Sequence, residues 1–465
     1  MGLVTGPARR PDAPGGAAEL LRLAWPLVVG NSFWALQIFI DRALLGRAGG
    51  DQVGAALATA LLFWTPMSFF QNTANYATTF TAQYTGAGRP RRVGPVVWQS
   101  LYFSLAGGAV FLAMSPLAAR LLELVGHSPH VRELETDYFR CLCFAAPPTL
   151  LTASALSFFA GRGDSRTVLL VNAVGLAVNA LCAWTLIFGL FGFPRLGIVG
   201  AGWATVLGSS ASALLSLALL FRRRHRAEFA VLAGWRPDAA LFGRLMRFGL
   251  PNGLAAALDT LGYAIFTLLV GRMGDAELDA TSIAFALNLM AFLPMVGLGQ
   301  AVEILVGRRL GENDPDTAAR STRTALGCAL LLTGTAATAF VFFPGPLAEL
   351  FHGDDSRWEQ VRPLVPLLLR FVAVYCLFDA ASLVFSCALR GAGDTRFVTA
   401  AALTVSWLVL VLPTWAACTY GWGLLWAWAF ASAYIVLLAV VFFLRFRQGA
   451  WRSMRVIEPK LAVEE

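Results

Sequence analysis

The chain has 465 residues, of which 57% are hydrophobic and only 14% charged, with a formal net charge of +8. Soluble domains carry about 25% charged residues, and a soluble chain of this length would divide into domains joined by polar linkers. Here apolar runs of about 20 residues, each long enough to cross a bilayer as a helix, follow one another nearly end to end. That pattern excludes a soluble enzyme or nucleic-acid-binding protein and predicts an all-α polytopic membrane protein with the lipid bilayer as its solvent.

Arg, Pro and Gly punctuation divides the chain into twelve predicted spans. The first six lie near 18–46, 51–86, 94–119, 134–160, 167–190 and 198–221; the others near 249–271, 280–307, 321–345, 363–389, 397–418 and 421–444. The corresponding organisation is an N-terminal segment 1–17, an N-lobe 18–221, a linker 222–248, a C-lobe 249–444 and a tail 445–465. The N-terminus, with Arg9, Arg10, Pro11 and Pro14, lacks the apolar core of a signal peptide. Loops on one side hold Arg42, Arg47, Arg120, Arg132, Arg140, Arg195, Arg272, Arg357, Arg362 and Arg370. The termini and the opposite loops hold the other 26 of the 36 Lys and Arg, among them Arg89, Arg91, Arg92, Arg222, Arg223, Arg224, Arg308, Arg309 and the single Lys460. Short basic loops stay in the cytoplasm, so both termini are expected inside a cell (inner or plasma) membrane. That agrees with an even number of spans.

The chain repeats itself. At a shift of 225, Pro26, Gly46, Arg47, Gly49 and Gly86 recur as Pro251, Gly271, Arg272, Gly274 and Gly311. At a shift of 230, Arg140, Gly161, Gly163, Asp164 and Arg166 recur as Arg370, Gly391, Gly393, Asp394 and Arg396. Each half holds six spans, so both enter the membrane from the same side. The expected architecture is two parallel six-helix repeats around a central cleft, with the binding site near the midplane.

No catalytic set, and hence no enzyme, is expected. His127, His130 and His352 fall in external loops and His225 in the linker. The seven cysteines have no metal-ligand spacing. No HExxH, GxSxG or Walker sequence is present, and no cofactor is implied. The repeated Gly-x-Gly-Asp-x-Arg reads as a helix-turn with charge pairing rather than a phosphate loop. Trp422, Trp426 and Trp428 suit a membrane interface.

Four carboxylates lie well inside apolar runs: Asp41, Asp259, Glu303 and Asp379. A carboxylate in hydrocarbon costs about 3 kcal/mol or more to insert, so it normally faces a protein interior and often marks an ion or proton path. Helical spacing places Trp34, Gln37 and Asp41 on one face of the first span. It places Asn252, Asp259, Tyr263 and Phe266 on one face of the seventh, and Tyr375, Asp379, Ser382 and Ser386 on one face of the tenth. Each stripe joins an acid, an aromatic ring and a neutral polar group, which suits an organic cation. Asp259 and Asp379 lie 12 and 11 residues from Arg247 and Arg390, about 16–18 Å into the membrane. Glu303, five residues from Arg308, reads as a boundary residue. Asn72, Asn179 and Asn288 read equally as substrate contacts or as interhelical hydrogen bonds.

These features resemble the multidrug and toxic compound extrusion (MATE) family over nearly the whole chain. Ala24-Trp25-Pro26 through Asp41 to Gly46 looks like its first helix. Ala82 to Gly88 and Leu305 to Gly311 are similar to the Gly motifs closing its helices 2 and 8. Gly249-Leu250-Pro251 with Asp259 looks like helix 7, and Tyr375, Asp379 and Leu389 to Thr395 look like helix 10. The resemblance is nearest to the NorM-like branch. It implies a secondary antiporter, working as a monomer by alternating access, that exports cationic amphipathic compounds in exchange for Na⁺ or H⁺. It assigns coupling to Asp259, Asp379 and Asp41, with Tyr375 in support and with Na⁺ held by Asp259 and Asp379 if sodium is the counter-ion; the helix stripes add Gln37 and Tyr263 as supporting residues. Trp34, Asn72, Asn179, Asn252, Phe266 and Asn288 would line the substrate cleft. Two departures stand out. Helix 7 in that branch usually carries Glu where this chain has Asp259. The DinF-like branch pairs an Asn with an Asp in helix 5, where this chain has Asn179 and Ala183. A lipid-linked saccharide flippase is the alternative within the same superfamily; it would need a basic interior.

Overall fold

The computed structural model describes residues 14–123, 127–351 and 358–459. Arg9, Arg10, Pro11, His352, Arg357 and Lys460 lie outside the described residues. Twelve helices are long and apolar enough to cross a membrane, and no strand occurs among the described residues. The first six are α1 (Ala17–Ala48), α2 (Gln52–Gly86), α3 (Pro90–Glu123), α4 (Pro129–Gly161), α5 (Ser165–Phe188) and α6 (Ile198–Leu220). The second six are α7 (Ala239–Gly271), α8 (Asp275–Gly311), α9 (Pro315–Phe342), α10 (Leu364–Ala392), α11 (Thr395–Thr419) and α12 (Leu424–Gln448). Only helices can cross lipid without stranding backbone polar groups, short of a closed barrel.

Helix ends follow local chemistry more than hydropathy. Asp238 accepts a hydrogen bond from the Leu241 N–H at 3.0 Å and starts α7, ten residues before the apolar run expected at 249. Arg244 and Arg247 end the hydropathic signal without ending the helix. Asp314 accepts from the Thr317 N–H at 3.0 Å and starts α9. Asp164 does the same for α5, accepting from the Thr167 N–H at 3.3 Å and its hydroxyl at 2.7 Å. These are N-caps, each satisfying donors that the helix itself cannot. The repeated Gly-x-Gly-Asp-x-Arg therefore ends differently in the two halves. Asp164 caps a helix, whereas Asp394 binds Arg445 of α12 at 2.7 Å.

Packing repeats as the sequence does. α4 and α10 are the two most protein-buried spans. α4 packs against α2, α3 and α6, and α10 packs against α8, α9 and α12. In lipid the helices gain little from apolar burial against one another, so close backbone approach at small residues becomes important. A methyl group at Gly161 would lie 2.5 Å from the Thr78 carbonyl oxygen, and one at Gly391 would lie 2.5 Å from the Glu303 carbonyl oxygen. Thr78 and Glu303 are themselves 225 apart, so the same helix crossing is built twice. Glu303 thus lies at the α8–α10 crossing.

By contacts the chain forms two compact units. Unit one comprises the residues up to Val28 together with Leu258–Arg455; unit two comprises Val29–Ala257 together with the residues from Val456. The units therefore differ from the half-chains. α1 begins in unit one and continues in unit two, while α7 begins in unit two and continues in unit one. Both transfers follow a helix-interior proline, Pro26 or Pro251, whose ring removes one hydrogen bond of the helix.

Segment 222–238 is ordered against unit two. The Trp98 indole donates to the Val231 carbonyl at 2.6 Å, and the Arg162 guanidinium lies 4.0 Å over the Phe229 ring. Burial against these rings lowers the Arg162 pKa.

Candidate functional site

The carboxylates and aromatic rings expected on the seventh and tenth spans meet in unit one. α7 carries Asp259, Tyr263 and Phe266 at i, i+4 and i+7, and α10 carries Tyr375 and Asp379 at i, i+4; these spacings put each set on one helix face. Asp259 and Tyr263 are exposed, Asp379 is half-buried, and Tyr375 and Phe266 are buried. Asp259 and Asp379 are close enough for their charges to interact. Tyr375 is within the field of Asp379 and of the Tyr263 hydroxyl, and the Arg390 charge reaches Asp259.

An aromatic wall backs this pair of acids. The Phe285 ring of α8 lies 5.1 Å from Tyr263, 5.8 Å from Phe266 and 5.2 Å from Trp428. Tyr375 stacks on Trp428 with centroids 6.4 Å apart. The Trp428 indole donates to the Thr281 hydroxyl at 3.2 Å, the partner that a buried tryptophan requires. Trp428 is 0% exposed, which corrects its reading as an interfacial residue; Trp422 and Trp426 are exposed. The difference is one of helix face. Trp428 packs in the apolar core with Ala427, Ala431, Tyr434 and Ile435, on the side of α12 turned to its neighbours.

Tyr434 was not singled out by sequence and belongs to the group, because it lies in the field of both Asp259 and Asp379. The signal that could have found it is the stripe Ala427, Ala431, Tyr434, Leu438, spaced i, i+4, i+7, i+11 and carrying one polar atom on an otherwise apolar face. Asn288 is half-buried on α8.

The other expected residues belong to unit two. Trp34 is exposed and meets Trp64 edge-on at 6.3 Å, and Gln37 is half-buried. Asp41 is half-buried, lies near Tyr138 and Arg42, and its Oδ1 is buried without a hydrogen-bond partner. Asn179 is 1% exposed, packs against Gly208 of α6, and leaves both side-chain polar atoms unpartnered. Buried polar atoms without partners are rare and call for an explanation. Asn252 connects helices, donating to the Asn72 carbonyl at 3.0 Å, whereas the Asn72 side chain donates to the Ser68 carbonyl of its own helix at 2.9 Å. The stripe on α7 is thus divided, with Asn252 in unit two and Asp259 in unit one.

Chemically, the unit-one group offers two carboxylates, three phenol hydroxyls and an aromatic wall. Two like charges in a low-dielectric setting repel, and a cation placed beside them relieves the repulsion. Among the described residues, no group of three or more His, Cys, Asp or Glu side chains could hold a metal ion. A transition-metal centre is therefore a poor fit to these residues. An alkali ion, a proton or an organic cation fits the two acids.

A family model described as MatE matches residues 26–185 and 251–415. The probable multidrug resistance protein NorM of Brucella suis biovar 1 is 30% identical over 436 residues, covering 92% of each chain. That of Bradyrhizobium diazoefficiens is 29% identical over 442 residues, covering 93% of this chain and 94% of the relative. A solved structure described as the outward-facing conformation of a multidrug resistance MATE family transporter of the MOP superfamily aligns with a TM-score of 0.85 at 20% identity. The alignment covers 94% of this chain and 96% of that one, a likeness of fold.

Proposed function

The chain belongs to the MatE family, and from that premise we propose that it exports cationic amphipathic compounds in exchange for Na⁺ or H⁺ by alternating access. It is a transporter, with a multi-pass membrane location. The observation that carries the antiport reading is the pair Asp259 and Asp379, within each other's field and backed by Tyr263, Tyr375, Tyr434 and the Trp428 wall. A counter-ion and an organic cation both stabilise that pair, so each weakens the binding of the other. Such competition drives exchange when the two sides of the membrane differ in counter-ion.

Asp41, with an unpartnered carboxylate oxygen in unit two, is the second coupling group. Na⁺, where sodium is the counter-ion, is held by Asp259 and Asp379. Trp34, Gln37, Asn179, Phe266 and Asn288 support substrate and ion passage. The Arg asymmetry of the loops supports a cell-membrane orientation with both termini in the cytoplasm. The functional unit is the monomer. A flippase for a lipid-linked saccharide is not favoured, because two acids occupy the place where a pyrophosphate would need cations.

The test is transport of a fluorescent organic cation by reconstituted protein while the Na⁺ and pH gradients are varied independently. Asp379→Asn should insert and remain monodisperse yet lose counter-ion-driven flux. Undiminished flux from that variant removes Asp379 from the mechanism.

A further inference from the structure

The start of each transferred helix is held by a carboxylate, and the two halves obtain that carboxylate differently. In unit one, Glu19 on the first turn of α1 pairs with Arg309 near the end of α8 at 2.5 Å, and Glu19 also accepts from the Gly15 N–H at 2.7 Å. Arg309 pairs further with Glu312 at 2.7 Å. A shift of 225 carries Glu19 onto Arg244 and Arg309 onto Tyr84. In unit two the acid of this pair has therefore become a base, and its partner a phenol. Neither can neutralise the other.

The tail supplies the missing group. Glu458, 374 residues away from Tyr84 in sequence, accepts the Tyr84 hydroxyl at 2.6 Å and pairs with Arg244. It also pairs with Arg92 at 3.6 Å. Its carbonyl accepts from Arg89 at 3.1 Å, and two residues earlier the Val456 N–H donates to Gln83 at 2.9 Å. Burial pushes the Glu458 carboxyl up, but the Tyr84 hydrogen bond and the Arg244 charge prevail and hold it below the usual range. The same α7 start is fitted closely onto α2, with Gly253 against Thr73 and Phe69, as Val28 of α1 is fitted onto Gly297 of α8.

We propose that Glu458 is a positioning residue of the transport cycle. Its carboxylate latches the first half of α7 to the corner between α2 and α3, replacing for α7 the pair that Glu19 and Arg309 make for α1. The latch acts on the helix that carries Asp259, and it is detachable, because the anionic member sits on the tail rather than on a spanning helix. The flux part of the proposal rests on the transport reading; the docking part does not.

The experiment places nitroxide labels at Arg91 and Pro459, both exposed, in full-length protein with its native cysteines replaced, and reads the label–label distance in proteoliposomes. The parent should give one short-distance population. Glu458→Gln should move the docked-to-released ratio on the order of tenfold, as loss of a charge-assisted hydrogen-bond set predicts. Arg244→Gln should do the same, and the double variant should go no further. In flux assays Glu458→Gln should change the maximal rate for the fluorescent cation and leave its KM unchanged, while Glu458→Asp should retain the parent behaviour. Should Glu458→Gln insert poorly, Arg244→Gln alone, which leaves the tail sequence intact, gives the same reading. An unchanged distance distribution, or additive effects of the two single substitutions, overturns the latch. A shifted distribution with unchanged maximal rate overturns its role in transport alone. Loss of the Asp379→Asn phenotype overturns the transport site and leaves the docking result intact.

Discussion

Gly391→Ala tests the most economical account of how the C-terminal repeat packs. The added methyl would lie 2.5 Å from the Glu303 carbonyl oxygen and 3.1 Å from its Cα, where ordinary contact begins at 3.4 Å. Both neighbours are backbone, so no side chain can rotate away and α8 and α10 must separate by roughly 0.9 Å at their crossing, the shortfall from ordinary contact. Overpacking of this kind costs about 1–3 kcal/mol, offset by less than about 1 kcal/mol from replacing a helical glycine by alanine. Thermal unfolding in detergent, followed by reaction of the buried cysteines Cys141, Cys143, Cys376 and Cys387 with a thiol-reactive dye, should show a midpoint lower by several degrees. The control is Gly334→Ala in α9, where a methyl group would meet nothing within 4 Å; it should be neutral or stabilising. Equal stability of Gly391→Ala and the parent, or equal destabilisation by the two substitutions, refutes the close-crossing argument.

Trp428→Ala removes the ring against which Tyr375, Phe266 and Phe285 pack and strips the Thr281 hydroxyl of its donor. It should cost about 3 kcal/mol or more in the same unfolding assay, whereas Trp422→Ala, at an exposed position, should stay within about 0.5 kcal/mol. Asp314→Ala removes the α9 cap and should cost about 1 kcal/mol. The Thr317 hydroxyl and N–H hold the Asp314 carboxyl below its ordinary range. Its contribution is therefore complete above the unfolded pKa of about 3.9 and is lost only as pH falls through the lower folded value. The difference between parent and variant should be flat from neutral pH to about 5, and shrink only in stronger acid; a difference that vanishes near pH 6 would contradict the cap.

The twelve-helix architecture was legible because lipid imposes a single, long-period signal: an apolar run either spans or it does not. The start of α7 was not legible. Arg244 and Arg247 look like the end of a hydrophobic segment; the helix runs through them from the Asp238 cap, with Arg244 paired to Glu458 more than 200 residues further on. The repeat in residues 161–166 and 391–396 was visible as letters. Its purpose, a glycine beneath the backbone of Thr78 or Glu303, needs coordinates, since nothing in the letters says which helix crosses there. Asp259, Asp379 and Tyr375 stood out because acids are scarce in apolar runs. Tyr434 and Trp428 did not, because aromatic residues are common there and only the helix face separates a site wall from a lipid contact. Asn72 and Asn252 illustrate the same limit: from sequence each suits a ligand as well as a neighbour, and in the fold the Asn252 side chain bonds across to α2 while that of Asn72 bonds within it.

The division of α1 between the units has a consequence for how the protein is made. Glu19 leaves the ribosome before its partner Arg309, which follows 290 residues later. Until α8 is inserted, the opening turns of α1 have no cationic seat and Val28 has no Gly297 to rest on. The first helix therefore completes its packing only after α8 is made, and a chain that stops short of α8 leaves Glu19 without its cationic partner. The Glu458 contacts with Tyr84 and Arg244 form later still, because all twelve spanning helices precede Glu458 in the chain.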